Sequence, residues 1–354
     1  MSDPVVSLPH VTVCVPAFNA ERTLRRTLDS IVAQDYPDFD VLVCDNASTD
    51  NTTQIAKEYA ERNVRYVLNT VRSPFAESNW NHALSLAEGP LIALYHADDL
   101  YTPTMVSRQV EFLQKNYQAS AVFTMTQTID EKDRPIRKGC TALPIEYKGR
   151  MSFEFPVLFN AVLKYTNFLV VPTIMTRKVV LDKVGNFNWQ QFCSAADIDL
   201  YLRMTQIGPI GVIDEPLHRY RIFPQQGTNL INKSRTHLAH FFWVMDSWLS
   251  NKEMHKFTES SARKFYEMYR ASDHVLCAMN YLLLKQRNQA KVLLLKELKL
   301  SHFITTIQRP RKLKTLLSGI VLLWSIRLGL GTLAGRCLYK AYQLNLQRQL
   351  NPLK

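Results

Sequence analysis

The chain has no closely spaced pair of cysteines. Its six (Cys14, Cys44, Cys140, Cys193, Cys277 and Cys337) lie at least 30 residues apart, with no CxxC spacing. That excludes a zinc ribbon and a dense disulfide framework, and isolated thiols suit a reducing compartment. The opening MSDPVVSLPH holds an acid and two prolines, with neither the basic nor the apolar stretch of a secretory signal. Acid is missing from the last 54 residues, which carry nine Lys/Arg, whereas the first 300 carry 34 basic and 31 acidic groups. Nine of the net +12 charges therefore belong to the tail and only three to the rest, and anionic partners are to be sought there. Low hydrophobicity is absent too. With 46% hydrophobic and 10% aromatic residues in 354, the chain has material for one large or two ordinary cores and is not a disordered polymer.

The first 130 residues alternate short β-branched runs with helical stretches. Strands are expected at Val11–Pro16, Val41–Cys44, Val64–Leu68, Leu91–Tyr95 and Ala121–Met125, with helices at Ala20–Ala33, Thr52–Arg62, Ser78–Ala87 and Thr104–Asn116. Runs such as VTVCV and LIALY are apolar almost throughout, as strands are when helices cover both faces of a parallel sheet. This predicts an open α/β fold, a mostly parallel sheet flanked by helices, with ligands beyond the carboxyl ends of the strands. A further strand is expected at Leu169–Met175, then a turn-rich Gly185–Cys193, a helix from Asp197 to Gln206, and a strand pair Ile210–Asp214 and Leu217–Ile222 followed by a PQQGT loop. Beyond Lys233 the period is helical: Thr236–Leu249, Ser260–Tyr269, His274–Leu284 and Gln289–Leu300, the last two joined as an antiparallel pair. The expected domains are 1–235, a helical 236–300, and a basic, apolar 301–354.

The polar residues stand where such a fold places its ligands. Tyr95-His96-Ala97-Asp98-Asp99 ends an apolar strand in two adjacent carboxylates, whose repulsion a hard divalent cation and phosphate oxygens would relieve. The plainer alternative is a solvated loop that caps the next helix. Asp45 ends the second strand, where an acid can accept from a base or ribose; Asp50 suits the cap of the following helix. Asp197 opens a helix and is either a cap or, at a cleft, a carboxylate that removes a proton from an attacking hydroxyl. Arg203 reads as a core-edge ion pair.

Taken in order, these segments resemble the family 2 inverting glycosyltransferases of the GT-A fold. VTVCVPAFNAERTLRRTLDSI matches that family's first strand and P-x-[YF]-N-x-E turn, YPDFDVLVCDNASTDNT its D-[DN]-x-S-x-D-x-T loop, NWNHALSLAEGPLIALYHADD the approach to its metal motif, SAADIDLYLRM its E-D-x-D-L-W-L-R helix, and EPLHRYRI its P-L-x-x-Y-R strand. The match spans roughly residues 8–230. It implies a GT-A (Rossmann-like) domain followed by a helical C-terminal region, and transfer of a sugar from a nucleotide-diphosphate sugar to a hydroxyl. Pro16, Ala17, Phe18 and Glu21 would line the nucleoside pocket, and Asp45 would contact the base. Asn81 and Arg221 would serve the donor, Arg221 or His218 as phosphate charge. Asp98 and Asp99 would hold Mn2+ or Mg2+, Asp99 more directly, and Asp197 would be the general base. The sequence departs from the pattern at four places. His96 stands for the first acid of D-x-D-D, Ala196 for the Glu before the base, Trp80 for an Arg, and Phe223 for a His.

In the tail, Thr315–Ile326 is twelve uncharged residues, too short for the ~20 needed to span a bilayer. Extension to Gly335 would bury Arg327 at about 2.5–3.5 kcal/mol. A helix lying in the interface of an anionic membrane, with Trp324 among the headgroups, is expected; a core-packing helix is the alternative. No nucleic-acid reader motif accompanies the charge. The acceptor implied is a saccharide or lipid-linked group, and the location the cytoplasmic face of the membrane, in polysaccharide or glycolipid synthesis. Two rival readings are a degenerate sugar-nucleotide binding module at the membrane and a sugar nucleotidyltransferase. The second is disfavoured because Pro-Ala-Phe-Asn-Ala-Glu occupies the place of its G-x-G-x-R loop.

Overall fold

The computed structural model describes residues 8–70, 72–73, 75–136, 142–223 and 235–349. The chain divides into two compact units, Met1–Leu158 with Asn167–Ile222, and Phe159–Thr166 with Phe223–Lys354. This partition differs from the composition-based division at 235 and 300, which stays a proposal about the tail. The expected PQQGT loop lies outside the described residues.

The first unit holds strands β1 (Val11–Ala17), β2 (Phe39–Asp45), β3 (Val64–Leu68), β4 (Leu91–Leu94), β5 (Leu100–Tyr101), β6 (Ala121–Ile129), β7 (Ser152–Phe153), β8 (Ile174–Arg177) and β9 (Ile210–Arg221). Its helices are α1 (Leu24–Val32), α2 (Thr52–Lys57), α3 (Ala76–Ser85), α4 (Met105–Lys115), α5 (Phe155–Tyr165), of which the last turns belong to the second unit, α6 (Lys178–Val184), α7 (Trp189–Phe192) and α8 (Ala196–Thr205). The sheet runs β3-β2-β1-β4-β8-β6-β9-β5, with β7 on β9. β3, β2, β1 and β4 are mutually parallel, as expected; β8 lies antiparallel to both neighbours, and β6 and β9 are parallel. The sheet is thus mixed, with its parallel strands at the β3-β2-β1-β4 end.

The patterning that builds this sheet is local. Val11, Val13 and Val15 are fully buried on the central strand, and α1 covers it with Leu24, Leu28 and Ile31, an i, i+4, i+7 stripe. On β9, Gly211 is required by packing, since a Cβ there would meet the Phe112 ring of α4 at 2.1 Å.

Three expectations change. Leu169–Met175 is not a strand throughout: a 3-10 turn at Val171–Thr173 precedes β8, because Pro172 has no N–H for a ladder. The expected pair Ile210–Asp214 and Leu217–Ile222 is the single strand β9. Its register against β6 shifts between Thr124 and Thr126, so that Asp214-Glu215-Pro216 bulges out and Leu217 and His218 turn inward. Helices α5 and α6 fill a stretch that looked irregular.

The second unit is helical: α9 (His240–Ser250), α10 (Ser260–Leu283), α11 (Arg287–Glu297), α12 (Leu300–Thr305), α13 (Pro310–Arg327) and α14 (Gly331–Gln349). The helices expected at Ser260–Tyr269 and His274–Leu284 are one, α10. The polar stretch that suggested a break is satisfied internally, Asp273 accepting from the Arg235 guanidinium and, at 2.9 Å, from the Ala239 N–H. Gly319 lets α13 approach closely, since a Cβ there would lie 2.8 Å from Val275 and Leu298. Leu316 and Leu322 of α13 are buried, whereas Leu317, Ile320, Val321, Trp324 and Leu328 form an exposed apolar stripe at helical spacing. No helix among the described residues is long and apolar enough to cross a membrane.

Candidate active site

The loops after β1 and β2 are knitted together by hydrogen bonds. Asn19, at φ 47°, donates its N–H to Ser48 Oγ (2.9 Å), and its side-chain oxygen accepts from the Thr49 N–H (2.9 Å). Glu21 accepts from the Asn51 backbone and side chain at 3.2 and 3.0 Å, while its own N–H donates to Asp50. Asp50 also accepts from the Thr52 N–H and hydroxyl at the start of α2; the N-cap itself is Asn51, so Asp50 supports the helix start from one position before the cap expected of it. Burial works against its ionisation, and these bonds overcome it, holding the carboxyl below its usual range. Asp45 is fully buried and accepts four hydrogen bonds, from the Ser48 N–H and hydroxyl (3.0 and 2.5 Å) and from Thr53 and Tyr66 (both 2.9 Å). Its carboxylate acceptor capacity is filled from within. Of the expected nucleoside-pocket residues, Ala17 is buried, Pro16 half-buried, and Phe18 exposed with the Arg72 guanidinium 4.3 Å from its ring centre. Arg72 carries no motif of its own and is recognisable only from this stacking.

The acids beyond β4 are the opposite case. A ring nitrogen of His96 and one oxygen each of Asp98 and Asp99 lie within 4.8 Å of one another. Asp99 is fully buried; one oxygen accepts from the Arg221 N–H (2.8 Å), and the other lies 3.0 Å from His218 Nε2 and 4.0 Å from His96 Nδ1 without a hydrogen bond. Burial raises its carboxyl to about 8, against the Arg221 N–H. Burial first, and then the charge of Asp99, raise Asp98 to about 7. Burial pushes His96 down to about 3, with His218 adding to it, and also takes His218 to about 3. The His218–Asp99 contact is therefore one between a neutral imidazole and a carboxyl rather than an ion pair. His218 is further held by Thr126 at 3.0 Å.

These donors fit a divalent cation. His96 Nε2 and Asp99 Oδ2 are buried polar atoms without a hydrogen-bond partner, and two carboxylates crowded in low dielectric need a positive charge to ionise together. His96 stands where the family pattern has an acid, and its neutral imidazole belongs to the cluster; imidazole suits Mn2+ better than Mg2+.

Arg221 is corrected. Its side chain is fully buried, with Nε on the Asp98 carbonyl (2.8 Å) and the guanidinium also on the Asp130 carbonyl and Asp133. A guanidinium enclosed in this way braces the Asp98–Asp99 turn from behind rather than meeting a phosphate. His218, equally enclosed, is not a source of phosphate charge either.

Asp197 sits in the first turn of α8, half-buried, accepting from the Ile198 N–H and from Asn167 Nδ2, both at 2.8 Å. Burial raises it to about 7; those two hydrogen bonds oppose the shift and the charge of Glu77 adds to it. Arg203 on the same helix pairs with Asp199 at 2.8 Å, the structural role expected for it.

Helix α3 gathers the acid-bearing segments. Asn79 donates to the Cys44 carbonyl (3.0 Å) beside Asp45. The Trp80 ring packs 5.2 Å from that of His96 and 5.2 Å from that of Phe187. Asn81 uses both ends of its amide on the Phe187 backbone, at 2.8 and 2.9 Å. Asn81 is thus corrected from a donor contact to a fastener: three consecutive residues tie the end of β2, the His96 cluster and the approach to α8 to one helix.

The fold recurs in solved structures. S. aureus TarS 1–349 in complex with UDP-GlcNAc aligns with a TM-score of 0.58 at 17% identity, over 95% of this chain and 92% of that one. The mannosyltransferase PcManGT from Pyrobaculum calidifontis, in complex with GDP-Man and Mn2+, aligns with a TM-score of 0.52 at 18% identity, over 90% and 88%. At such identity the likeness is one of fold, GT-A. In sequence, residues 12–184 match the model of Glycosyl transferase family 2. EpsE of Bacillus subtilis (strain 168), which carries the name glycosyltransferase, is 38% identical over 60% of this chain and 73% of its own length. The Escherichia coli UDP-Glc:alpha-D-GlcNAc-diphosphoundecaprenol beta-1,3-glucosyltransferase WfaP is 27% identical over 49% and 61%. The chain belongs to glycosyl transferase family 2 and is a glycosyltransferase.

Proposed function

We propose that the chain is an inverting glycosyltransferase in which Asp197 removes the proton of an acceptor hydroxyl as that oxygen attacks the anomeric carbon of a nucleotide-diphosphate sugar. The observation that carries the reading is a half-buried carboxyl in the first turn of α8 that accepts from the Ile198 N–H and from Asn167, burial raising it to about 7. A base so tuned accepts a proton at neutral pH yet remains largely ionised just above it. The O–H bond breaks towards Asp197, the new C–O bond forms on the face opposite the leaving diphosphate, and configuration inverts.

His96, Asp98 and Asp99 would hold the divalent cation, which when bound supplies Lewis-acid stabilisation of the departing diphosphate. Asn167 orients Asp197, and Arg221 keeps the Asp98–Asp99 turn in place. Pro16, Ala17, Phe18 and the bonded loops 19–21 and 45–53 form the nucleoside rim. There Asp45, its acceptors filled, fixes the Ser48 loop of that rim.

The acceptor proposed is a saccharide, free or lipid-linked, in polysaccharide or glycolipid synthesis. WfaP, named for a diphosphoundecaprenol-linked acceptor, supports the lipid-linked form. The exposed stripe of α13, with Trp324 and the acid-free basic tail, supports docking on the anionic cytoplasmic surface of a membrane. Flotation with phosphatidylglycerol vesicles checks this. Leu317→Ser with Trp324→Ala should lower binding, and equal flotation by that variant would reject the surface.

The experiment for the catalytic reading is thermal stabilisation by UDP-Glc, UDP-GlcNAc and GDP-Man with and without Mn2+, followed by the anomeric configuration of the sugar transferred. Stabilisation by one donor only with Mn2+, and a β-linked product from an α-linked donor, is expected. Retained configuration would overturn it.

A further inference from the structure

Trp80 stands where the family pattern has an Arg, and His96 where it has the first acid of the metal motif. The two departures touch. The Trp80 ring lies 5.2 Å from the His96 imidazole at a tilt of 31°, and it meets the Phe187 ring edge-on, also at 5.2 Å. Its backbone is pinned on both sides, by Asn79 on the Cys44 carbonyl and by Asn81 on Phe187. The His96 backbone is held as well. Its N–H donates to the Tyr101 hydroxyl at 2.6 Å, and that hydroxyl donates to the His96 carbonyl at 3.2 Å. The His96 ring is not held in this way. Among the described residues neither of its nitrogens has a hydrogen bond, Nε2 being buried without a partner and Nδ1 lying 4.0 Å from Asp99 Oδ2.

A histidine that ligates a metal ordinarily gives its second ring N–H to a carbonyl or carboxylate, and that bond sets the orientation of the ring. His96 has no such acceptor, so aromatic packing has to set it. We propose that Trp80 is the positioning residue of the cation site, holding the His96 imidazole towards Asp98 and Asp99 so that the site reads its cation through nitrogen and selects first-row transition ions such as Mn2+ over Mg2+. The inference rests on the reading of His96, Asp98 and Asp99 as the cation site.

The selectivity follows from the exchange of ligand types. Mg2+ takes oxygen ligands in near-ideal octahedral geometry and gives up water reluctantly, so the loss of one carboxylate weakens its hold. An imidazole nitrogen suits transition ions, and it leaves two carboxylates where the pattern has three acids. The exchange at position 80 fits the same logic. With fewer anions in the cluster, a guanidinium beside the ring would repel the cation, whereas an indole adds packing without charge.

The test titrates the protein with Mn2+ and with Mg2+, each alone and each with saturating UDP, by calorimetry, and records the 14N coupling of bound Mn2+ by pulsed electron paramagnetic resonance. Mn2+ is expected to bind at least ~10-fold tighter than Mg2+ and to show the coupling, and His96→Asp should lose the coupling and close the gap. Trp80→Ala should weaken Mn2+ by ~10–100-fold and leave Mg2+ unmoved. Trp80→Phe, which keeps a ring, should restore Mn2+ binding, and Trp80→Ala in a His96→Asp background should change neither ion. Equal affinity for the two ions, Mn2+ affinity unmoved in Trp80→Ala, or bound Mn2+ without 14N coupling would overturn the inference alone. A protein that binds neither ion in either arm would overturn the reading beneath it. Should Trp80→Ala not fold, indole emission decides. Mn2+ is expected to quench more emission in the unaltered protein than in Trp80→Phe, and equal quenching in both contradicts the contact.

Discussion

The two acidic rims of the first unit are built on opposite principles. In the loops after β1 and β2, every acid on which the site reading leans is engaged by donors from these loops, α2 or β3: Asp45 by four hydrogen bonds, Asp50 by Thr52 and the Glu21 N–H, Glu21 by Asn51. Beyond β4 and at the start of α8 the acids are buried or half-buried, burial raises Asp98 and Asp197 to about 7 and Asp99 to about 8, and three ring or carboxyl atoms, His96 Nε2, Asp99 Oδ2 and His218 Nε2, have no hydrogen-bond partner. Acids held ionised by many donors keep shape, and acids that burial holds towards the protonated form are poised for a cation or a proton. The same residue type thus serves as scaffold in one rim and as reagent in the other.

Changes in the reagent rim should cost function, and those in the scaffold rim stability. The largest effect is expected from Asp99→Ala or from chelation, with loss of at least ~100-fold in cation-dependent donor affinity, since even supporting groups around a metal are worth ~10–100-fold. Calorimetric titration with and without Mn2+ checks it, and equal affinity in both arms would break the contrast. The pH dependence comes next. Turnover requires Asp197 ionised, so kcat/KM should fall about tenfold per unit below pH ~7 and level off above it; a limb near 4 would mean an ordinary carboxyl.

Asp45→Ala should destabilise the first unit by about 2–4 kcal/mol in urea, because it strands the Ser48, Thr53 and Tyr66 donors. Unchanged stability would return Asp45 to the ligand. The smallest effect concerns the cation-free protein. Asp98 and Asp99 are raised in the fold, so they bind protons there that the unfolded chain has released. Their contribution is complete below pH ~4 and is lost as pH rises through about 7 and 8. The melting temperature should decline over that range and recover with Mn2+. A flat profile would place the two carboxyls in water.

What the sequence disclosed follows the range of the physics. β1, β3 and α4 were legible because β-branched runs and apolar periods are local, and Asp50 was placed one residue off, since it bonds the start of α2 while Asn51 is its N-cap. The Asp98–Asp99 pair and Asp197 were legible as a set of motifs in order. Asn81 and Arg221 were misread because their partners lie far off in the chain, Phe187 for one and the Asp98 and Asp130 carbonyls for the other. Nothing local separates an Asn that grips a backbone from one that faces a ligand. His96 looked like a lost acid until its ring was seen among the carboxylates. In the second unit the helical period was clear, but the polar turn of α10 read as a break until Asp273 found Arg235.

The most direct measurement is a paired one on Asp197→Asn: turnover and donor affinity in the same preparation. A fall in kcat of ~10²–10⁴ with donor affinity intact is expected of a general base that acts only in the transition state. Turnover retained, or donor affinity lost in step with it, would make Asp197 a helix cap and leave the poised rim without its reagent.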